Sequence, residues 1–241
     1  MIDEKCKVAS HEDIGAGYRY LVLEAPKMAA DLVTGVCERY RTLTGRSDYY
    51  LAYHGVELSS SEVPSVQSNN QTIQQSNNPL VRLVYAGTLG RTYDLDTVLK
   101  AVAANQDFTL DVAGRWTGPV PERVTAHGYL GQEVLERLLG ACDVGVIPMS
   151  PDSWVGMPYK ICDYAKAGLR IVSSLGGESS ALLDEYRCGA TYRPGDVASL
   201  TAAVRRAMTL ERGASRRLCE ERLDARQIYA AYVRTAAELI G

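Results

Sequence analysis

From residue 80 onward, short apolar runs alternate with amphipathic segments, and this alternation constrains the fold more than any other feature of the sequence. The run "LVRLVYAG" (80–87) is typical of a buried strand, and "DLDTVLKAVAAN" (94–105) carries apolar residues at helical spacing. Further strands are predicted at 108–114, 123–130, 143–149, 169–174 and 189–194, and further helices at 132–142, 178–186 and 196–208. Strands that alternate with helices form a parallel sheet covered on both faces, so the sequence predicts an α/β fold with a doubly wound parallel sheet.

The remainder of the chain divides into three parts. Residues 59–79 are polar and almost free of large apolar side chains, which is typical of a linker. Before them, 27–45 predicts a helix and 48–58 a strand, too few residues for an independent domain. A last helix is predicted at 223–240, beyond the sheet. The predicted divisions are 1–58, 59–79, 80–222 and 223–241.

Composition excludes several classes of protein. The chain has 241 residues, of which 46% are hydrophobic and 23% charged, as in ordinary globular proteins. No run approaches the roughly 20 apolar residues that span a bilayer, and the first residues do not resemble a leader, so a cytoplasmic location is predicted. A net charge of −3 argues against a nucleic-acid surface. The six cysteines lack a CxxC pair and only three histidines occur, so no metal or cofactor is predicted.

The stretch "DSWVGMPYKICDYAKAG" (152–168) places a cation and a carboxylate one helical turn apart. Pro158 suits the first position of a helix, so the backbone around 158–161 is expected to form an anion site. Lys160 then suits a phosphate, and Asp163 suits the hydroxyls of a diol. The alternative is an ordinary surface ion pair between residues i and i+3.

Several segments together resemble a known family. They are "YAGTLGRTYDLDTVLKA", "DVAGRW", "GYL" followed by "LLGACDVGVIPM", "GMPYKICDYAKAGLRIVSS" and "GATYRPGD". In this order they are similar to the C-terminal, nucleotide-sugar-binding, Rossmann-like domain of GT-B glycosyltransferases, in the retaining group called family 4. The resemblance covers roughly residues 80–240, while 27–58 resembles only the end of the N-terminal, acceptor-binding domain. It implies one GT-B half with an N-terminal remnant.

The resemblance implies a role for individual residues. Asp163 would bind the ribose of the donor, the loop 128–130 would lie against its base, and residues 155–157 would face the sugar and diphosphate. The predicted donor-binding residues are Gly87, Arg91, Gly128, Tyr129, Leu130, Val155, Gly156, Met157, Lys160 and Asp163. The catalytic residue is not assigned, and no metal site is predicted.

Some positions depart from the family pattern. The sugar-binding acid that usually precedes the ribose acid by eight residues is replaced by Val155. Thr88 and Tyr93 stand where an Arg and a Lys commonly clamp the diphosphate, so Arg91 and Lys160 are the predicted substitutes. His127, at the end of a strand, is predicted to be a hydrogen-bonding loop residue, with a general base as the alternative.

The function implied by the resemblance is transfer of a sugar from a nucleoside diphosphate sugar to an acceptor hydroxyl, with retention and without a metal, in polysaccharide or glycoconjugate synthesis. The implied partners are the nucleotide sugar, a glycan or lipid-linked acceptor, and a separate N-terminal half, and peripheral attachment to the inner face of a membrane is a second expectation for location. A non-catalytic nucleotide-sugar-binding or scaffold subunit is the alternative. A flavodoxin-like or NAD-binding protein is disfavoured, because no GxGxxG follows the first strand.

Overall fold

The structure is a computed structural model that describes residues 33–35, 37–38, 41, 49–58, 80–88, 90, 92–153 and 155–240. The described residues belong to two compact units, the smaller within 1–55 and 225–241 and the larger within 56–224. The predicted linker 59–79 lies outside the described residues. The domain boundaries predicted from the sequence stay predictions.

The helices and strands follow the order predicted for a chain of βα repeats. In chain order they are β1 (Val33–Gly35), β2 (Tyr49–Leu51), β3 (Val81–Ala86), α1 (Leu95–Ala104), β4 (Phe108–Ala113), β5 (Val124–Gly128), α2 (Gln132–Ala141), β6 (Val144–Ile147), α3 (Lys160–Lys166), β7 (Arg170–Ser173), α4 (Glu178–Glu185), β8 (Gly189–Thr191), α5 (Val197–Met208), α6 (Ala214–Arg222) and α7 (Ala225–Ile240).

The larger unit is built on a six-stranded sheet with strand order β5-β4-β3-β6-β7-β8. Every pairing in the sheet is parallel. The chain runs outward from β3 to β5 and then returns to β6 beside β3, so the order reverses between β3 and β6. The predicted doubly wound parallel sheet is confirmed, and in such sheets ligands bind outside the carboxyl ends of the strands at the point of reversal.

The two faces of the sheet carry different helices. Leu83, Tyr85, Leu110 and Val112 pack in one buried cluster with apolar residues of α1 and α5. Because side chains alternate along a strand, the residues between them point to the opposite face. That face carries α3, since a Cβ added to Gly145 of β6 would clash with a ring of that helix.

The ring at Gly145 belongs to Tyr164, which closes the gap at the point where the strand order reverses. Strands β3 and β6 pair at two positions, which lie in the middle of β3 and at the start of β6. Beyond them, the N–H of Ala86 donates to Tyr164 Oη at 2.9 Å, and this hydroxyl lies 3.5 Å from Val84 O and 3.4 Å from Val146 O. Burial raises the pKa of the Tyr164 hydroxyl. Tyr164 therefore anchors α3 to both central strands.

Replacing Gly145 with alanine is expected to destabilise the protein by about 1–3 kcal/mol, because the fully buried ring of Tyr164 has no room for the added methyl group. The free energy of unfolding in urea measures the effect. Gly176→Ala is the matched control, since nothing lies within 4 Å of its added Cβ. A loss at Gly145 no larger than the loss at Gly176 would contradict the assigned packing.

Two elements differ from the sequence prediction. The helix predicted at 27–45 is wrong at residues 33–35. These residues form strand β1, which pairs in parallel with β2. Its residues Val33 and Thr34 are β-branched, which favours strands over helices. The structure also has helix α6, which was not predicted because its buried residues are small or isolated among arginines.

The cysteines of the described residues agree with their interpretation as small buried side chains. Cys37, Cys142, Cys162, Cys188 and Cys219 are all free thiols and all buried.

No helix within the described ranges has both the length and the apolar character to cross a bilayer.

Candidate functional site

Three glycines close the carboxyl ends of β3, β4 and β5. Gly87, Gly114 and Gly128 adopt φ angles of +139°, +148° and +68°. Gly87 N donates to Ala113 O and Gly114 N donates to Gly128 O, both at 2.8 Å. A Cβ on Gly114 would clash with Gly87 O. The backbone can approach this closely only because these residues have no side chain.

Lys160, the first residue of α3, lies against this glycine edge and is only 9% exposed. Its Nζ donates to Tyr93 Oη at 3.0 Å and lies 4.2 Å and 5.0 Å from the ring centroids of Tyr93 and Tyr85. A Cβ on Gly87 would be 2.6 Å from Nζ. We call Tyr85, Gly87, Tyr93 and Lys160 the lysine cage.

No carboxylate of the described residues lies within 4.0 Å of the cation in the lysine cage. An ammonium group has three donors, and Tyr93 accepts from one of them. A buried cation carries a desolvation cost, which a bound anion would help to relieve.

Asp163 lies one turn further along α3, in a groove between α2 and α3. The groove also contains Glu136 and Lys166, which form an ion pair of 2.9 Å. Burial raises the pKa of Asp163, against the opposing effect of the nearby lysines. No hydrogen bond joins its carboxylate to another described residue. The ion pair between Lys160 and Asp163 considered from the sequence is not observed.

The start of α3 differs from the sequence prediction. The helix begins at Lys160 rather than at Pro158. The N–H of Ile161 donates to Pro158 O at 3.1 Å and the N–H of Cys162 donates to Tyr159 O at 2.9 Å, because the chain enters α3 through a tighter turn. The backbone site predicted at 158–161 is therefore reduced, and the lysine ammonium is the main positive group here.

The loop after β5 contains three of the predicted residues. Gly128 ends the strand in a left-handed conformation, Tyr129 is 75% exposed, and Leu130 is half-buried. Exposed tyrosine at the carboxyl edge of a sheet offers a flat apolar surface with a polar end.

The predicted residues 155–157 lie in the segment before α3. Val155 and Gly156 are half-buried, and Gly156 O accepts from Ser179 Oγ at 2.5 Å. The side chain of Met157 is in the core with 2% exposure, so only its backbone is available to a ligand. Arg91 lies outside the described residues.

Sequence analysis missed a buried polar group on β4. Asp111 is 5% exposed and accepts from His127 Nε2 at 2.7 Å and from Arg82 Nη2 at 3.0 Å. The available signal was a single carboxylate inside the apolar run "FTLDVA". His127 was predicted to be a hydrogen-bonding loop residue; it does form a hydrogen bond, but it lies within β5 and its partner is this carboxylate of the neighbouring strand.

A cavity of about 630 Å³ shares Tyr93 with the lysine cage. None of the predicted donor-binding residues that the structure describes lines it. Its lining residues are Gly90, Tyr93, Asp94, Leu95, Asp96, Leu99, Trp116, Thr117, Ser150 and Pro151. Within the described part of the chain, no cluster of three or more His, Cys, Asp or Glu side chains is arranged to hold a metal ion.

A parallel sheet with a reversed strand order and a glycine-lined carboxyl edge defines a Rossmann-like unit. The sequence then identifies the family. Residues 53–209 match the family profile of the glycosyl transferases group 1, and the chain belongs to this family.

Solved structures show the same fold at low sequence identity. HepE of Anabaena, solved with UDP-glucose, has a TM-score of 0.75 at 15% identity, covering 95% of this chain and 70% of that one. Sucrose-phosphate synthase of Thermosynechococcus elongatus has a TM-score of 0.71 at 16% identity, covering 98% and 65%. WaaG, a glycosyltransferase involved in lipopolysaccharide biosynthesis, has a TM-score of 0.63 at 15% identity, covering 89% and 64%.

These likenesses establish the fold of GT-B glycosyltransferases for the chain. No protein with a curated function matches the sequence.

Proposed function

We propose that this chain binds a nucleoside diphosphate sugar at the carboxyl edge of its sheet and contributes the donor site for transfer of the sugar to an acceptor hydroxyl. The observation that carries the proposal is the pair of incompletely satisfied charges on α3. Lys160 is a nearly buried cation without a carboxylate, and Asp163 is a half-buried carboxylate without a hydrogen-bond donor among the described residues.

Lys160 is the proposed partner of the diphosphate. Its ammonium is held between two tyrosine rings and against Gly87, whose missing side chain leaves the space that the ammonium occupies. The rings stabilise the cation without cancelling its charge. The lysine cage therefore supports an anion site in which Tyr93 orients the ammonium by a hydrogen bond.

Asp163 is the proposed partner of the ribose. An ionised carboxylate only accepts hydrogen bonds, and the two hydroxyls of a ribose can each donate one. The exposed Tyr129 and the loop 128–130 would then lie against the base. UDP-glucose is present in the structure of HepE, which supports a nucleotide sugar as the ligand class to test.

The proposed reaction breaks the bond between the anomeric carbon of the sugar and the diphosphate, and forms a bond from that carbon to the acceptor oxygen, whose proton passes to the departing diphosphate or to water. Negative charge grows on the departing diphosphate. A positioned cation in a site shielded from water stabilises this charge, which is the role proposed for Lys160 with Arg91.

The finer assignments belong to the same proposal. They are membership of family 4, retention at the anomeric carbon, a role in polysaccharide or glycoconjugate synthesis in the cytoplasm, and donor binding by residues 80–222 with 223–241 as a crossover helix. They rest on the motif around Asp163 and Tyr164 and on the order of the segments before and after it.

Calorimetric titration of the purified chain with UDP, GDP, ADP and inorganic pyrophosphate tests the proposal. We expect one nucleoside diphosphate to bind more tightly than the other two and at least tenfold more tightly than pyrophosphate, because the ribose and base sites add to the phosphate site. Failure of all three nucleotides to bind would contradict the proposal. Binding without sugar transfer to any acceptor would favour the alternative of a nucleotide-sugar-binding subunit.

A further inference from the structure

Strand β5 contains an irregularity at the residue that precedes the exposed loop. In its pairing with β4, Val112 is opposite Ala126, but the next residue of β4, Ala113, is opposite Gly128. His127 is therefore an extra residue that is not opposite any residue of β4 in the backbone pairing, as in a β-bulge. Bulges redirect the chain and the side chains that follow, and they occur often beside functional sites.

The bulged histidine is held by a buried carboxylate. His127 Nε2 lies 2.7 Å from Asp111 Oδ1, so this nitrogen carries the proton and donates. The other oxygen, Oδ2, accepts from Arg82 Nη2 at 3.0 Å, and the thiol of Cys142 lies 3.8 Å from it. Asp111 thus connects β3 with the edge strand β5 through β4.

A buried carboxylate in this position lowers the stability of the fold unless it is fully hydrogen-bonded. Asp111 is 5% exposed in a strand whose other buried residues are apolar. An apolar residue at position 111 would have no desolvation cost. Replacing buried ion pairs by apolar residues is often neutral or stabilising. The carboxylate is therefore a candidate for a role beyond stability, and the contact it makes nearest to the carboxyl edge is the one with His127.

We propose that Asp111 and His127 are positioning residues for the nucleoside part of the donor. Their hydrogen bond holds the bulge in β5, and the bulge sets the direction in which Gly128, Tyr129 and Leu130 leave the sheet. This inference rests on the proposed function, in which the loop 128–130 lies against the base. It separates base recognition, controlled by Asp111 and His127, from phosphate binding by Lys160.

Two substitutions of His127 distinguish the hydrogen bond from the ring itself. In His127→Gln the amide nitrogen lies about as far from the backbone as Nε2 does, so it can still donate to Asp111. In His127→Asn the amide is one methylene shorter and does not reach. We expect His127→Asn to bind its best nucleoside diphosphate at least tenfold more weakly and to lose its preference among UDP, GDP and ADP. We expect His127→Gln to remain within threefold of the native chain.

Inorganic pyrophosphate and a double variant complete the experiment. The affinity for pyrophosphate is expected to be unchanged in every His127 variant. Asp111→Asn and His127→Asn together are expected to weaken nucleotide binding no more than the stronger single change, because both disturb one contact. Asp107→Asn is the control, since this carboxylate pairs with Arg205 at the opposite end of β4.

The possible outcomes separate the inference from the proposed function. Equal losses in His127→Gln and His127→Asn at unchanged Tm would overturn positioning and indicate direct contact of the ring with the ligand. If His127→Asn has a lower Tm but keeps the base preference of the native chain, the positioning role is overturned in favour of a purely structural role. If the native chain binds pyrophosphate as tightly as any nucleotide, the base subsite is overturned while Lys160 remains an anion site. If it binds none of these probes, the proposed function fails.

Discussion

Replacing Asp163 with alanine is expected to lower the affinity of the chain for its preferred nucleoside diphosphate about 100-fold, or roughly 3 kcal/mol. A hydrogen bond to a charged group contributes about 1.5–3 kcal/mol, and in the proposed complex the carboxylate of Asp163 accepts from the ribose hydroxyls. Titration calorimetry with the nucleotide and with inorganic pyrophosphate measures the change. The affinity for pyrophosphate is expected to fall far less, because it has no ribose.

Replacing Asp163 with asparagine is expected to make the folded chain more stable at neutral pH, whereas replacing it with alanine lowers nucleotide affinity. Burial raises the pKa of Asp163 above its ordinary value of 3.8, so the folded chain binds this proton more tightly than the unfolded chain does. Stability therefore falls as the pH rises through the interval between these two pKa values, and the ionised carboxylate costs stability at neutral pH. Asp163→Asn is expected to raise Tm at pH 7, and the gain is expected to shrink below about pH 4.

The control for these experiments is Asp184→Asn, which changes an exposed carboxylate on α4 that pairs with Arg206. It is expected to leave nucleotide affinity unchanged. Normal nucleotide binding by Asp163→Ala would show that the groove between α2 and α3 does not hold the ribose. A lower Tm for Asp163→Asn at pH 7 would contradict the assigned cost of the buried charge.

Replacing Lys160 with methionine is expected to weaken binding of both the nucleoside diphosphate and inorganic pyrophosphate about 100-fold. Methionine keeps an apolar stem between the rings of Tyr85 and Tyr93 but removes the charge. The lost interaction is a charge-assisted hydrogen bond in a poorly hydrated site, where such bonds are strongest. The affinity for the unphosphorylated nucleoside is expected to be unchanged, so its ratio to the nucleotide affinity isolates the phosphate contribution.

Two variants define the specificity of the Lys160 result. Lys100→Met removes an exposed lysine of α1 and is expected to leave binding unchanged. Tyr93→Phe keeps the ring beside Nζ but removes the hydroxyl that accepts from it, and a loss of about threefold is expected. Equal losses for the nucleoside and the nucleotide in Lys160→Met would contradict a phosphate role, since they would indicate a general disturbance of α3.

The sheet and its flanking helices could be predicted from the sequence because their signals are local. Strand β6 is a continuous apolar run, and α1 has apolar residues at helical spacing behind the capping residue Asp94. Strand β1 was not predicted, because a parallel pair of three residues is stabilised by its partner rather than by its own sequence. Helix α6 was not predicted, because its buried face consists partly of Ala214 and Ser215.

The candidate site could be predicted only in part, because its contacts join distant residues. Lys160 and Asp163 were recognisable from their spacing and from the family motif. Their environments were not, since the rings beside Lys160 come from positions 67 and 75 residues earlier in the chain. The pairing of Asp111 with His127 depends on the register of two strands and on a bulge that no local pattern marks.

Tyr164 also determines how the site responds to its ligand. Its hydroxyl is hydrogen-bonded to β3 and its ring lies on Gly145 of β6, so α3 is attached to the centre of the sheet at a residue directly beside Asp163. The backbone that carries Lys160 and Asp163 is therefore ordered as soon as the sheet is folded. Little conformational entropy remains to be lost at the backbone of these two groups, so in the proposed donor site their contribution to affinity would come from preorganisation rather than from induced fit.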